Sequence, residues 1–502
     1  MYKILKADKD TYITNRVINE SGSYNSNVGL AGSLDLFKLY GSTFTGVTPN
    51  VEYSRLLLHF DISTLSDLYS SGKIDITHPS FFAKLQLSDV YGGQPTPSKY
   101  TLIVNPLSKS FDEGAGKDVV YYSDYDNANF FTASYSNGDI KWINAGCGSS
   151  GDPTVICDYY TGSLQTSQYF STGEEDLNVD VTSAISGVLA GVIPDSGFRV
   201  SYSSLEEGDQ KTYFVKRFAS RHAFDSSKHP RLIVGFDDSI RDTSEGMTFD
   251  SNTKLFFFNY DKGIPTNLST ITGAVTGSNC LLLKLQLAIS GGIGEFIFTG
   301  SQHYSGINPV EGVYSTNVYL SSSNPNIVKA LAASGSILKF TPVWSSLDEN
   351  TTFQSGSYIS VREPIRGTST ITPKKFDVTV YGLNEIHRSD ETPVVRVNIF
   401  DYTTPLIKVT KTPVNSPGAF QGIVSDAFYS IRDAVTQKVI IPFDSTKGST
   451  RISSDASGLF FKLDMTNLFT ERTYVVDVMI KIGGETQKYL NASPVFKVSD
   501  LQ

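Results

Sequence analysis

The chain has 502 residues, with 42 Lys and Arg against 51 Asp and Glu and a net charge of −9; at roughly 100 to 200 residues per domain, that length predicts about three domains. The acidic balance leaves no basic surplus to neutralise phosphates, which argues against a nucleic-acid binder. Aromatics make up 12%, with 31 Phe and 27 Tyr against 4 Met and 2 Trp, beside 41 Gly and 20 Pro, a balance that favours strands and turns over helical bundles. No run reaches about 18 consecutive apolar residues, so no segment is expected to span a membrane, and Met1–Asp10 lacks the apolar run of a signal peptide. Cys147, Cys157 and Cys280 are too few and too scattered for a disulfide framework, and free thiols in a reducing compartment are expected.

In chain order, apolar residues recur mostly at a period of two, and Gly, Ser, Asn or Pro breaks the runs about every ten residues, which predicts an all-β protein. Strands are expected at Arg55–Phe60, Phe82–Leu87, Tyr100–Val104, Gly197–Tyr202, Arg231–Phe236, Leu281–Ile289, Val378–Leu383, Val394–Phe400 and Tyr474–Ile482. In the last, Tyr474, Val476, Val478, Ile480 and Ile482 share one face and Asp477 and Lys481 the other, so the second face should meet water or a partner. Short helices are expected at Thr64–Tyr69, Val181–Leu189, with Thr182 as N-cap, and Asn326–Ala333 after Pro325. Polar joints at Asp237–Glu245 and Arg362–Lys375 divide the chain into segments 1–237, 238–372 and 373–502, sizes that fit one large sandwich and two smaller ones.

The first segment holds the most specific pattern: Asp10-Thr11-Tyr12-Ile13, Asn27-Val28-Gly29, Ser33-Leu34-Asp35, Arg55 to Asp61, Ser110-Phe111-Asp112-Glu113-Gly114, Leu177 to Thr182, Gly197 to Val200, Phe218 to Arg221 and His229 to Leu232. This order resembles the DNRLRE-type β-sandwich family, jelly-roll modules related to carbohydrate-binding modules and found in secreted bacterial proteins and phage particles. The resemblance covers residues 1 to about 237. Where the family carries a Trp-rich strand after the Phe-Asp-Glu turn, this chain has Val119, Val120, Tyr121 and Tyr122, with Trp142 downstream. The stretches Phe214–His222, Tyr429–Asp444 and Gly448–Gly458 look like those of tailed-bacteriophage virion structural proteins, the last two in an immunoglobulin-like appendage domain.

The resemblance implies a non-enzymatic structural component of a virion, at the neck, collar or tail, assembled in the host bacterial cytoplasm. Its partners would be other virion proteins and symmetric copies of itself, with neither nucleic acid nor membrane. The alternative is a carbohydrate- or receptor-binding adhesin or fibre component that takes a host surface glycan. The fold expected is an N-terminal jelly-roll sandwich, with an insertion near 123–170, followed by two smaller immunoglobulin-like β-sandwich domains.

Tyr121, Tyr122, Tyr125, Phe130, Phe131, Tyr135 and Trp142 form an aromatic stretch suited to a protein interface or a sugar platform, and residues 127–158 are expected to project as an arm that docks on a neighbouring subunit. Glu174, Glu175, Asp176 and Asp180 form an acidic cluster of the Ca²⁺-binding kind, yet such a site needs about six to eight oxygens and the sequence places at most half of them; solvated loop charges are preferred, and no other cofactor is expected. Asp112 and Glu113 are paired carboxylates, but glycosidase chemistry needs them about 5 to 9.5 Å apart across a sugar, and neighbouring residues at a Gly114 and Gly116 turn diverge. The six His lie far apart and outside any nucleophile or zinc motif. Lys216, Arg217 and Arg221 are expected on a sandwich rim. No catalytic residue is expected.

Overall fold

Among the described residues the named strands pair antiparallel, except that Ile386–Arg388 runs parallel to Phe496–Ser499. The computed structural model describes all residues except 19–20, 23–24, 42–49, 92, 94, 120–126, 136–139, 149–156, 241, 243, 245–246, 262–263, 272, 290–291, 306–307, 335–336, 364–375, 402–425, 456–457, 483–484 and 501–502. The chain divides into two compact units, one of Tyr2–Ser70 with Phe81–Gly235 and one of Met1, Ser71–Ser80 and Phe236–Gln502. Among the described residues, no helix is long and apolar enough to cross a membrane.

The first unit is a two-sheet sandwich built from β1 (Tyr2–Lys6), β2 (Lys9–Thr14), β3 (Ser33–Gly41), β4 (Asn50–His59), β5 (Phe82–Leu87), β6 (Tyr100–Pro106), β7 (Thr166–Phe170), β8 (Leu177–Asp180), β9 (Phe198–Tyr202), β10 (Tyr213–Ala219) and β11 (Arg231–Gly235). One sheet runs β1-β11-β5-β8; the other runs β7-β6-β9-β4-β3-β10, with β2 also on β4. Helix α1 (Ser63–Ser70) follows β4, α2 (Thr182–Leu189) follows β8, and the single turn α3 (Ser204–Gly208) follows β9. Side chains from both sheets and from α2 meet around one small cavity lined by Phe60, Ile62, Ala184, Ile185, Val188, Phe198 and Leu232, so α2 closes one end of the core. Its cap differs from the sequence expectation. Val181 is the N-cap and has no side-chain cap bond, and Thr182 is the first helical residue. The Thr182 hydroxyl instead accepts from the Ala83 N–H at 2.9 Å, while Asp180 accepts from the Thr182 N–H at 2.8 Å. The carboxylate two residues upstream reaches that N–H, which releases the hydroxyl to tie the helix to β5.

In the second unit, β12 (Asn252–Phe258), β13 (Leu281–Ile289), β14 (Gly292–Ser305), β15 (Asn308–Tyr319), β16 (Ile337–Ser345), β17 (Thr352–Ser355) and β18 (Ile359–Arg362) form one seven-stranded sheet, with α4 (Pro325–Ser334) inserted before β16. Alternate residues Leu281, Leu283, Leu285 and Leu287 of β13 share a core with Phe340, Trp344 and the α4 residues Ile327 and Ala330.

The C-terminal strands are β19 (Phe376–Tyr381), β20 (Ile386–Arg388), β21 (Val394–Asp401), β22 (Ala427–Asp433), β23 (Val439–Ile441), β24 (Ser453–Asp455), β25 (Gly458–Lys462), β26 (Arg472–Ile482), β27 (Glu485–Tyr489) and β28 (Phe496–Ser499). They form two sheets, β19-β21-β25-β24 and β20-β28-β26-β22-β23 with β27 also on β26. Tyr429 of the second sheet stacks on Phe461 of the first with centroids 4.1 Å apart, as expected of an immunoglobulin-like sandwich whose inner faces interdigitate. The joint after β11 is held against this sandwich: the Ile240 carbonyl accepts from the Ser454 N–H at 2.8 Å, and Asp237 pairs with Arg451 at 3.3 Å.

The expectation for β26 is corrected. Tyr474 through Ile480 are all buried, Asp477 included. Asp477 accepts two bonds from Arg432, both at 2.9 Å, and one from the Asn491 N–H at 2.8 Å. A central strand covered on both faces can carry a carboxylate only if it is paired, and breaking such a pair from one side costs about 3–5 kcal/mol, far more than replacing both partners with apolar side chains. Chemical denaturation should therefore show Asp477→Ala destabilised by about that amount, with most of the loss recovered in the Arg432→Met/Asp477→Leu double variant.

Candidate functional site

The dispersed motif of the first unit converges into a polar knot. Glu113 accepts from Arg221 Nε and Nη2, both at 2.6 Å, and its Oε1 also accepts from the Asp10 N–H at 2.8 Å. The Arg221 N–H donates to Asp10 Oδ2 at 2.5 Å. Asn27 Nδ2 donates to the carbonyls of Glu113 and Ala128 at 2.6 and 2.8 Å, while its Oδ1 accepts from the Gly29 N–H at 2.8 Å. The Leu30 N–H donates to the Gly116 carbonyl at 2.9 Å. Four segments separated by up to about two hundred residues are thus tied by bonds that their own turns present. Gly114 has a φ of +83°, and a Cβ there would lie 2.2 Å from Asn27 Oδ1, so both the left-handed turn and the close approach require glycine.

Asp10 lies inside this knot, fully buried, and its Oδ1 has no hydrogen-bond donor. Burial, with Glu113 adding to it against the pull of Arg221, pushes its carboxyl up to about 7. Unfolding returns that group to the ordinary value of 3.8. Between these values the folded state holds the proton that the unfolded state has lost, so its contribution to stability falls as pH rises and the full penalty stands above pH 7. Asp10→Asn should therefore be more stable than wild type at pH 8, by about 2–4 kcal/mol, and the advantage should vanish by pH 4. Thermal unfolding across this range checks it; a difference that does not vary with pH would contradict it.

The insertion after β6 does not project as an arm in its described part. It folds back over the outer face of the second sheet, where Phe111, Ala128, Ala133, Trp142 and Cys147 form a second hydrophobic cluster with Ile13 of β2 and Leu57 of β4. Phe130 and Trp142 are buried, and Trp142 Nε1 donates to the Asn129 carbonyl at 2.9 Å. Phe131 is 44% exposed; Tyr135 is half-buried, and its N–H donates to Asp112 Oδ2 at 2.9 Å. Tyr121, Tyr122 and Tyr125 lie outside the described residues. The sequence signals aromatic density but not its direction, and the alternation that assigns faces in a strand is missing from this loop-rich stretch. Because Trp142 fills a core, Trp142→Ala should cost the first unit about 3–5 kcal/mol in denaturant unfolding; a loss below about 1 kcal/mol would place the indole on the surface.

Beneath the insertion lie two buried guanidinium groups that sequence reading had not joined. Arg55 donates from Nε and Nη2 to Glu207 at 3.0 and 2.8 Å and from Nη1 to the Gly146 carbonyl at 2.6 Å. Arg199 lies 3.8 Å from the same Glu207, donates to Ser201 Oγ at 2.8 Å, and sits over the Tyr159 ring at 4.5 Å. Cys147 is fully buried beside these groups, and burial pushes its thiol up to about 12, which keeps it protonated and inert. None of the three cysteines forms a disulfide.

The basic trio is not a solvated rim. Lys216 shares a strand face with Phe218, is buried, and donates to Asp89 and to the carbonyls of Gly173 and Glu175 at 2.8 Å each. Arg217, on the opposite face, pairs with its cross-strand neighbour Asp35 at 3.1 Å. In the acidic cluster, Glu175 accepts from the N–H groups of Ser171, Thr172 and Gly173 at 2.7–2.9 Å; burial opposes the effect, but the bonds from Thr172 and Ser171 hold its carboxyl well below the usual range. Asp176 accepts from the Asp89 N–H at 2.6 Å, Asp180 accepts from the Thr182 N–H, and Glu174 is exposed. Among the described residues, no three His, Cys, Asp or Glu side chains are placed to hold a metal ion.

No family model matches the chain, and no curated protein does. Solved structures that align with it include a leucine-rich repeat protein from Bacteroides thetaiotaomicron, at 6% identity over 45% of this chain and 26% of that one, with a TM-score of 0.11. The FN1–FN3 domains of chicken CNTN1 align at 11% identity over 82% and 93%, with a TM-score of 0.14. A tetra-tandem repeat from the extending region of a large adhesion protein aligns at 10% over 98% and 99%, with a TM-score of 0.16. At these scores, the architecture is read from the chain itself.

Proposed function

We propose that the chain is a non-enzymatic structural component of a tailed-bacteriophage virion, placed at the neck, collar or tail and acting through contacts with other virion proteins and with copies of itself. The observation that carries the structural half of this reading is the polar knot: Glu113 and Arg221 bind each other, Asp10 is sealed from solvent, and Asp112 accepts from a backbone N–H. Carboxylates held in this way secure the fold and are not presented to a substrate. The resemblance of the first segment to the DNRLRE-type sandwiches, and of the C-terminal stretches to virion appendage domains, supplies the phage setting. Multiple copies in a symmetric particle raise the effective concentration of each weak contact, so rigid sandwiches with modest interfaces suffice to hold a place in it.

The test is made on purified particles of a phage that encodes the chain. Mass spectrometry should find the polypeptide in a fixed stoichiometry, a particle reconstruction should locate it at the neck or tail, and the purified protein should leave capsule and cell-wall polysaccharides intact. Absence from the particles would reject the virion reading, and glycan turnover lost in Glu113→Gln would reject the non-enzymatic one. Binding of the full chain to a host glycan would move the assignment to an adhesin.

A further inference from the structure

The sheet of β12 to β18 treats its two edges differently. One edge is blunted: β17 and β18 are four residues each, the pairing of β16 with β17 shifts register between Trp344 and Ser345, and the segment before β12 lies on β18. There, the Phe249 N–H donates to the Arg362 carbonyl at 2.9 Å, and the Arg362 N–H donates to the Met247 carbonyl at 3.1 Å. At the other edge, β12 pairs with β15 through seven consecutive residues, Asn252 with Tyr319 to Phe258 with Val313, without a register shift. Among the described residues, no strand pairs with the far side of β12. Asn252-Thr253-Lys254-Leu255-Phe256-Phe257-Phe258 contains no Pro or Gly and a single charge, so Lys254 is the one device on it of the kind by which edge strands avoid pairing.

We propose that β12 is the interface of a two-fold dimer, in which the same strand of a second copy adds antiparallel to it and joins the two sheets. The strand is self-complementary about Leu255. In that register Leu255 faces its own counterpart, Thr253 faces the partner's Phe257, and Asn252 faces the partner's Phe258. Lys254 faces the partner's Phe256. Thr253, Leu255 and Phe257 lie on the core side, while exposed Lys254 and half-buried Phe256 and Phe258 line the other face. Within one chain, Lys254 Nζ already sits 5.2 Å from the Phe256 ring centre, so the same cation and ring chemistry recurs across the two-fold axis and no like charges stand opposite each other. A closed isologous contact of this kind also stops at two copies, whereas a generic strand-adding partner would leave a further edge. The inference concerns the chain in solution and stands whether or not the chain belongs to a virion.

Sedimentation equilibrium of the full chain tests it, with circular dichroism confirming the fold of each variant. Wild type should form a reversible dimer at micromolar concentration. Phe256→Lys sets a cation against the partner's Lys254 and should weaken the dimer at least about tenfold, Phe256→Glu should retain it, and Lys254→Glu/Phe256→Lys should restore it. If Phe256→Lys does not fold, Lys254→Glu alone, which loses the cation over the ring, should still weaken association. A wild-type chain that stays monomeric to about 100 μM, or a dimer indifferent to these charge exchanges, would overturn the proposal.

Discussion

The two-point bond between Arg221 and Glu113, with Asp10 bound to both segments, is the constraint on which the first unit depends. A sandwich of eleven strands has many ways to pair its edges, and apolar burial alone does not choose among them. A charged fork and its carboxylate meet in one geometry only. Because Arg221 follows β10, Glu113 follows β6 and Asp10 lies in β2, their meeting fixes both ends of the second sheet and the start of the insertion together. Asn27 extends the same logic, holding the Gly114 turn with its side chain while it shapes its own.

The same solution recurs at three other buried charges of this chain. Arg55 lies on Glu207, Lys216 on Asp89 and Arg432 on Asp477, each with backbone carbonyls, N–H groups or side-chain amides filling the remaining positions. Such pairs contribute little net stability relative to apolar side chains of the same shape, but each penalises every arrangement that leaves one partner alone. In a multi-domain β protein, where registers that differ by one residue compete, that penalty selects a single pairing. In the structural role proposed, this selection would matter more than added stability.

The strands were legible because alternation survives in them: Phe82–Leu87 and Leu281–Ile289 have the bounds their pattern predicts, and the three longer helices lie within a residue of their expected bounds, although the cap of α2 differs from the expected one. The burial of Lys216 was within reach of the same rule, since it stands two residues from Phe218 on one face, but a charged side chain masks that register. Asp477 was not legible, because a single sequence does not tell a half-exposed strand from a central one once its alternation carries one polar residue. The folding back of Trp142 and Phe130 depends on contacts with Ile13 and Leu57, about a hundred residues away in sequence. Asp10, Asn27, Gly29, Glu113 and Arg221 of the knot were visible as a motif, whereas the partner of Arg55, Glu207 of α3, carried no motif signal of its own.

Amide hydrogen exchange on the full chain tests most directly whether the motif is architecture. The N–H groups of Asp10, Gly29, Leu30 and Arg221 all donate within the knot, so they should exchange as slowly as those of Leu56, Leu57 and Leu58 in β4, opening only when the whole sandwich opens. Exchange of these four amides at the rate of exposed loops, while β4 stays protected, would mean that the motif is a mobile surface and that the role of its side chains must be sought in binding or catalysis.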